Sequence, residues 1–276
     1  DFDVPVQQAG LASVQSLLAT GDGAARLALT TNGEVWAWGS NYFGHLGDGT
    51  TTTQQAPKRI PGLDDVRNIV VTPEGRCLAL TSTGKVWTWG NTFSGEALGD
   101  RLTPTQLVGL PPVSSLFEDA ATAADGSFWM WDDQLTPLRV PGLTDVKAVV
   151  HAAGPWQPAT HHALRGDGTV WGWGGNENGQ IGDGSTIDRE EPVIVDSLSG
   201  VADIVGRGVV RFALARDGSV YSWGAVGYDD PIGAAPRKLP LPPAKAANTF
   251  EKWASIQPAQ VGVSTSSQAA MFDLSG

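Results

Sequence analysis

The residues suited to chemistry are few and scattered along the chain. Of four histidines, three (His151, His161 and His162) fall in one stretch around Gly154-Pro155-Trp156-Gln157-Pro158. Imidazoles at this density invite a transition-metal reading. Adjacent residues of an extended strand point to opposite faces, however, so His161 and His162 do not converge on one ion. No cysteine or carboxylate spacing supports them, and neither a metal nor any other cofactor is expected. The turns Gly47-Asp48-Gly49 and Gly182-Asp183-Gly184 offer one carboxylate each, whereas calcium takes several oxygen ligands; they read as structural turns. Cys77 is the one cysteine. It excludes an internal disulfide and a zinc site of its own, and inside the apolar run Arg76-Cys77-Leu78-Ala79-Leu80 it is expected to be a buried thiol. There is no G-x-S-x-G, H-E-x-x-H or P-loop, so no catalytic residue is assigned.

The elements that would position these side chains form a repeat. The segments Val35-Trp36-Ala37-Trp38-Gly39, Val86-Trp87-Thr88-Trp89-Gly90, Phe128-Trp129-Met130-Trp131, Val170-Trp171-Gly172-Trp173-Gly174 and Val220-Tyr221-Ser222-Trp223-Gly224 are copies of one pattern. Each follows an Ala-Leu strand, such as Leu27-Ala28-Leu29 or Phe212-Ala213-Leu214, across a turn at Gly33, Gly84, Gly126, Gly168 or Gly218. Asn-Gly and Asp-Gly pairs suit tight hairpins. A proline-led strand and a fourth strand follow, so one copy occupies roughly 40–50 residues, the size of a propeller blade. The predicted fold is all-β: a propeller of about six blades, or alternatively seven, with four-stranded antiparallel sheets, closed by N- and C-terminal strands in one blade. Residues 1–276 are read as one domain. Tryptophans on one strand face and small residues on the other would fill the wedges between blades.

Hydrophobic residues at 41% and charged residues at 17% exclude a disordered chain. A net charge of -11 disfavours nucleic acid, since phosphate backbones demand a positive surface. No apolar run is long enough to span a membrane as a helix. The chain opens at Asp1 rather than Met; an extracytoplasmic or secreted monomer, mature or excised from a longer chain, is the expectation.

The runs Leu27 to Asn41, with Gly44 and Leu46-Gly47-Asp48-Gly49, and Asp167 to Asn176, with Gly179 and Ile181-Gly182-Asp183-Gly184, resemble the repeats of the regulator of chromosome condensation family. The resemblance covers nearly the whole chain and implies a β-propeller. It implies little about function: the family includes a nuclear exchange factor and a secreted bacterial inhibitor of β-lactamases. The composition here is closer in style to bacterial members. Two departures weigh against the nuclear role: no basic tail, and Ala25, Arg76, Glu118, Thr160, Val210 and Gln268 where the family often has histidine.

Function is sought where the repeat breaks. The stretch from His151 to His162 makes the fourth copy about five residues longer at this point than the fifth. Trp156, between two prolines, is the tryptophan outside the repeat and a natural interface anchor. With His151, Phe117, Arg76, Arg207 and Arg211 from equivalent loops, it makes the predicted surface for a protein partner, enzyme inhibition being one version. The alternatives are a metal-dependent hydrolase using Glu118, Asp119 and Gln268, and a structural or adhesive region of a larger surface protein.

Overall fold

The computed structural model describes residues 10–20, 25–72, 75–90, 101–132, 134–152, 159–226 and 230–240. Among them every regular element is a strand, and no helix exists that could cross a membrane. The strands form five four-stranded antiparallel sheets. The first holds β1 (Val14–Ala19), β2 (Ala25–Thr30), β3 (Val35–Gly39) and β4 (Gln54–Arg59); the second β5 (Val66–Val71), β6 (Arg76–Thr81), β7 (Val86–Gly90) and β8 (Arg101–Gln106). The third holds β9 (Val113–Leu116), β10 (Ala120–Ala123), β11 (Ser127–Trp131) and β12 (Pro137–Thr144). The fourth holds β13 (Val146–Ala152), β14 (Thr160–Arg165), β15 (Val170–Gly174) and β16 (Arg189–Ile194); the fifth β17 (Val201–Arg207), β18 (Val210–Ala215), β19 (Val220–Val226) and β20 (Asp230–Lys238).

Every sheet is therefore made of four consecutive strands. The segment that sequence periodicity places fourth in one repeat pairs instead with the Ala-Leu strand that follows it, as in Ile69 opposite Ala79. The framing shifts by one strand, because a short hairpin closes more readily than a longer connection. The expected closing blade involves residues before 10 and after 240, which lie outside the described residues. Two compact units form: residues up to Asp125 with Trp129–Arg139, and Gly126–Phe128 with residues from Val140 on.

The tryptophan pattern packs as its alternation requires. The second aromatic of each copy is buried: Trp38 and Trp173 are 7% exposed, Trp131 5%, Trp89 and Trp223 1%. The first aromatics, Trp36, Trp87, Trp129, Trp171 and Tyr221, are half-buried. In the first unit Trp89 joins a core with Leu27, Leu29, Ile60, Leu63 and Ile69; in the second, Trp223 packs with Val195, Leu198, Ile204 and Ala213. Each such side chain contributes roughly 1.5–3 kcal/mol on burial.

Two devices join successive sheets within each unit. The indole Nε1–H of Trp89 donates to the His45 carbonyl (2.9 Å), and that of Trp223 to the Gln180 carbonyl (2.9 Å). These carbonyls belong to the Gly-Asp-Gly loops, which are internally bonded as structural turns. Asn41 Oδ1 accepts from the Leu46 amide, Asn176 Oδ1 from the Ile181 amide, both at 2.9 Å. Asp48 Oδ1 accepts from the Thr50 amide and hydroxyl, Asp183 Oδ1 from those of Ser185. Lys58 and Arg189 take the second oxygens. Burial alone would raise both carboxyls, but these hydrogen bonds and cations hold them below the usual range. Asn176 is fully buried, so Asn176→Ala strands the Ile181 amide. We expect a loss of about 2–4 kcal/mol in denaturant unfolding.

The second device is the hairpin glycine. Gly33, Gly84 and Gly168 have φ of 81°, 82° and 82°, while the preceding Asn32, Thr83 and Asp167 do not enter the left-handed region. These are type I turns with a glycine bulge, not the two-residue turns in which both residues take positive φ. Each glycine carbonyl accepts from the first strand of the next sheet: Val66 to Gly33 (3.0 Å), Val113 to Gly84 (2.9 Å) and Val201 to Gly168 (3.0 Å).

The first and fifth sheets each expose an apolar side chain at a position that is buried in other sheets. Leu17 is 63% exposed, whereas Ile69 and Ile204 at the same repeat position are 2% and 3%. Phe212 is 38% exposed, whereas Leu27, Leu78 and His162 are at most 1%.

Candidate functional site

Strand register gives each sheet two unlike ends. The glycine turns before β3, β7, β15 and β19 lie at one end, nearly uniform in length, the first two and that before β15 each bonded to the next sheet. At the other end lie the hairpins joining the first two strands of each sheet and the connections joining the last two. The hairpins vary: residues 208–209 link β17 to β18, 72–75 link β5 to β6, and 153–159 link β13 to β14. The insertion read from sequence thus falls at the varied end.

In the second unit the base of that longest hairpin is aromatic. His151 faces His161 across β13 and β14, and His161 faces Trp173 across β14 and β15. The three rings form a row. The His151 and His161 centroids are 4.7 Å apart with their Nδ1 atoms at 3.1 Å, and His161 stacks on Trp173 at 5.4 Å and 18°. His151 is exposed and His161 half-buried. Burial first, then the charges of His151 and Arg211, pushes the His161 pKa down to about 3.

His162 points the other way, as alternation along β14 demands. It is 1% exposed, edge-on to Trp223 at 5.7 Å, and its Nε2 lies 3.0 Å from the Ile181 carbonyl. Arg211 Nε lies 3.3 Å from His162 Nδ1. A guanidinium only donates, so Nδ1 must accept and Nε2 must donate to the carbonyl. Arg211 Nη1 donates to the Gly208 (2.7 Å) and Val210 (3.1 Å) carbonyls of the tight hairpin; Nη2 finds no acceptor among the described residues. Burial lowers the Arg211 pKa to about 10, which leaves it charged at neutral pH.

The predicted contact residues are thus placed differently from one another. Trp156 lies outside the described residues, as does Gln268. His151 sits on β13 rather than in the loop, with its side chain exposed. Arg76 opens β6 and is half-buried; Phe117, half-buried, closes the β9–β10 turn through its amide to the Ala120 carbonyl. Glu118 and Asp119, also half-buried, lie in the same turn. Arg207 ends β17 opposite Val210. Arg211 is 1% exposed and serves inside the second unit, joining a hairpin to His162, with no surface to offer. Cys77 is fully buried, and burial pushes its thiol pKa up.

Sequence reasoning missed the exposed aromatic pair of the β3–β4 connection. Tyr42 is 77% and Phe43 45% exposed, edge to face at 5.1 Å. In the second unit Ile187, 64% exposed, lies in the corresponding β15–β16 connection. The signal was present: Asn41-Tyr42-Phe43-Gly44 carries aromatics where the equivalent Asn176-Glu177-Asn178-Gly179 is polar.

Residues 32–72 and 167–210 match the family model of the regulator of chromosome condensation (RCC1) repeat. The human E3 ubiquitin-protein ligase HERC2 is 28% identical over 82% of this chain, which spans 5% of that protein. The ultraviolet-B receptor UVR8 of Arabidopsis thaliana is 28% identical over 81% of the chain, here 56% of the relative's length. The chain therefore covers less than two thirds of these curated relatives. Among solved structures, yeast RCC1 (Prp20) bound to Kap60 superposes with a TM-score of 0.59 at 22% identity, covering 83% of this chain and 64% of that one. Human WBSCR16 superposes at 0.54 and 21% identity, over 75% and 57%. These likenesses establish a β-propeller fold.

Proposed function

From the premise that the chain is a β-propeller carrying RCC1 repeats, we propose that it is a non-catalytic scaffold that recognises a protein partner through the varied ends of its blades. The observation that carries this reading is the contrast between the two ends. Glycine turns at one end serve sheet-to-sheet bonding. The other end, although its loops also take bonds from the next sheet at His45 and Gln180, differs in length from sheet to sheet and displays Tyr42, Phe43, Ile187 and His151. Aromatic side chains on stiff supports make contact area at low entropic cost and dominate interface energetics.

The relatives support the reading indirectly. A ubiquitin-protein ligase and an ultraviolet-B receptor are each 28% identical to this chain over four fifths of it, so likeness of this kind dictates no single activity and recognition lies in what the loops present. The yeast propeller is solved with a protein, Kap60. The net charge of -11 favours a protein over a nucleic acid here. Inhibition of an enzyme is one form such recognition would take.

The test is cross-linked affinity capture from extract of the source cells, followed by binding measurements with the captured protein. Tyr42→Ser with Phe43→Ser, or separately Trp156→Ala, is expected to weaken binding by about 30-fold, the size of a loss of about 2 kcal/mol. Ser82→Lys, on an exposed glycine-turn residue, should leave it unchanged. A partner that ignores both loop variants and is lost with Ser82→Lys would reverse the assignment of ends.

A further inference from the structure

We propose that His151 and His161 form a two-imidazole chelate for a divalent transition-metal ion, of the Cu²⁺, Ni²⁺ or Zn²⁺ class, at the base of the β13–β14 hairpin. The two residues are direct cross-strand partners. Their Nδ1 atoms, 3.1 Å apart, face one point between the rings. An ion about 2.1 Å from each nitrogen would subtend an angle of about 95°, within the range that four- to six-coordinate ions accept. Without an ion, one ring must carry its proton on Nδ1 and donate to the other. With an ion, both rings take the Nε2–H tautomer and both Nδ1 lone pairs turn to the metal, with no net change in protons.

The placement favours an ion over a plain hydrogen bond in two ways. His161 is held by its stack on Trp173, so one ligand is preorganised. His151 is exposed, so an ion can enter and complete its shell with water. Imidazole pairs select borderline transition ions over Ca²⁺ and Mg²⁺, which take oxygen ligands. The other histidines do not compete: His45 and His162 are 4% and 1% exposed, and His162 already uses both ring nitrogens. The pair that converges is therefore 151 with 161, ten residues apart, and not the neighbours 161 and 162.

The test uses the full untagged chain, titrated with CuCl₂, NiCl₂ or ZnCl₂ in a non-chelating buffer. We expect one equivalent bound with affinity Cu²⁺ > Ni²⁺ and Cu²⁺ > Zn²⁺, quenching of tryptophan fluorescence by Cu²⁺ through Trp173, and no response to Ca²⁺ or Mg²⁺. The copper spectrum should carry the nitrogen couplings of two imidazoles in the wild type and of one in His151→Ala. That variant changes an exposed side chain and leaves the stack intact, and should weaken binding by about tenfold or more. The double variant His151→Ala with His161→Ala should lose the equivalent altogether. Binding that survives in the double variant, or no saturable binding by the wild type, would overturn the proposal.

Discussion

Gly84→Ala is expected to lower the unfolding free energy by about 2–5 kcal/mol, and Gly49→Ala by only about 1–2 kcal/mol. Both glycines have φ of +82°, so both variants force an L side chain into the left-handed region and meet the same strain. They differ in what a Cβ would touch. At Gly49 the nearest atom is a Thr103 methyl at 3.6 Å, an ordinary contact. At Gly84 it is the Val113 backbone nitrogen at 2.8 Å, with the Val113 carbonyl at 3.0 Å. Backbone does not yield as a side-chain tip does. Relief would mean moving the first strand of the third sheet away and stretching the 2.9 Å bond from Val113 to Gly84. The difference between the variants in chemical denaturation therefore isolates the grip between successive sheets. Equal losses at the two positions would show that the hairpin glycine serves only its own turn. Gly168, with Gly200 backbone at 3.0 Å, should repeat the result in the second unit.

Much of this grip was legible in the sequence, though not its purpose. Glycine recurs before each aromatic strand because its turn needs positive φ, and the chain spells that out. That the same glycine also lies against the next sheet is a long-range fact which no local pattern encodes. The alternation of large and small residues likewise announced which tryptophans are buried. It did not rank them: Trp89 and Trp223 meet the loop of the preceding sheet, at His45 and Gln180, whereas the first aromatic of each copy is only half-buried.

The site was harder to read, for an electrostatic reason. Arg211-Phe212 reads as an exposed cation beside a core aromatic, and the structure inverts it: Arg211 is 1% and Phe212 38% exposed. A guanidinium is buried only where acceptors meet it, and here they come from a two-residue hairpin and from a histidine 49 positions away. The hairpin carbonyls are local, but the histidine that completes the site lies far outside any window of ten residues. The same holds for the histidines. Adjacency drew attention to 161 and 162, while convergence depends on the register of β13 against β14, which the insertion between them obscures.

The buried His162–Arg211 contact makes acid a selective stress. Burial first, then the Arg211 charge, lowers the His162 pKa from 6.5 to about 3, although its hydrogen bonds to the Ile181 and Gln180 carbonyls pull the other way. The folded state thus keeps His162 neutral down to about pH 3, while the unfolded chain takes up a proton near pH 6.5. Between these values the unfolded state holds more protons, so stability rises with pH and is lost on acidification. The contribution is fully present above pH 6.5 and fades as pH falls toward 3, at about 1.4 kcal/mol per pH unit. From pH 6.5 to 4.5 this group alone is expected to remove about 2 kcal/mol. His161 titrates in the same direction, so the decisive comparison is with His162→Gln, which retains His161. That variant should be less stable at pH 7, because Arg211 loses an acceptor, yet its unfolding free energy should fall less steeply between pH 6.5 and 4.5, by about one proton's worth. A variant with the wild-type slope would mean that His162 is protonated in the fold. The Arg211 guanidinium would then have to turn away from Nδ1, and the contact that seats the β17–β18 hairpin on the fourth sheet would not exist as described.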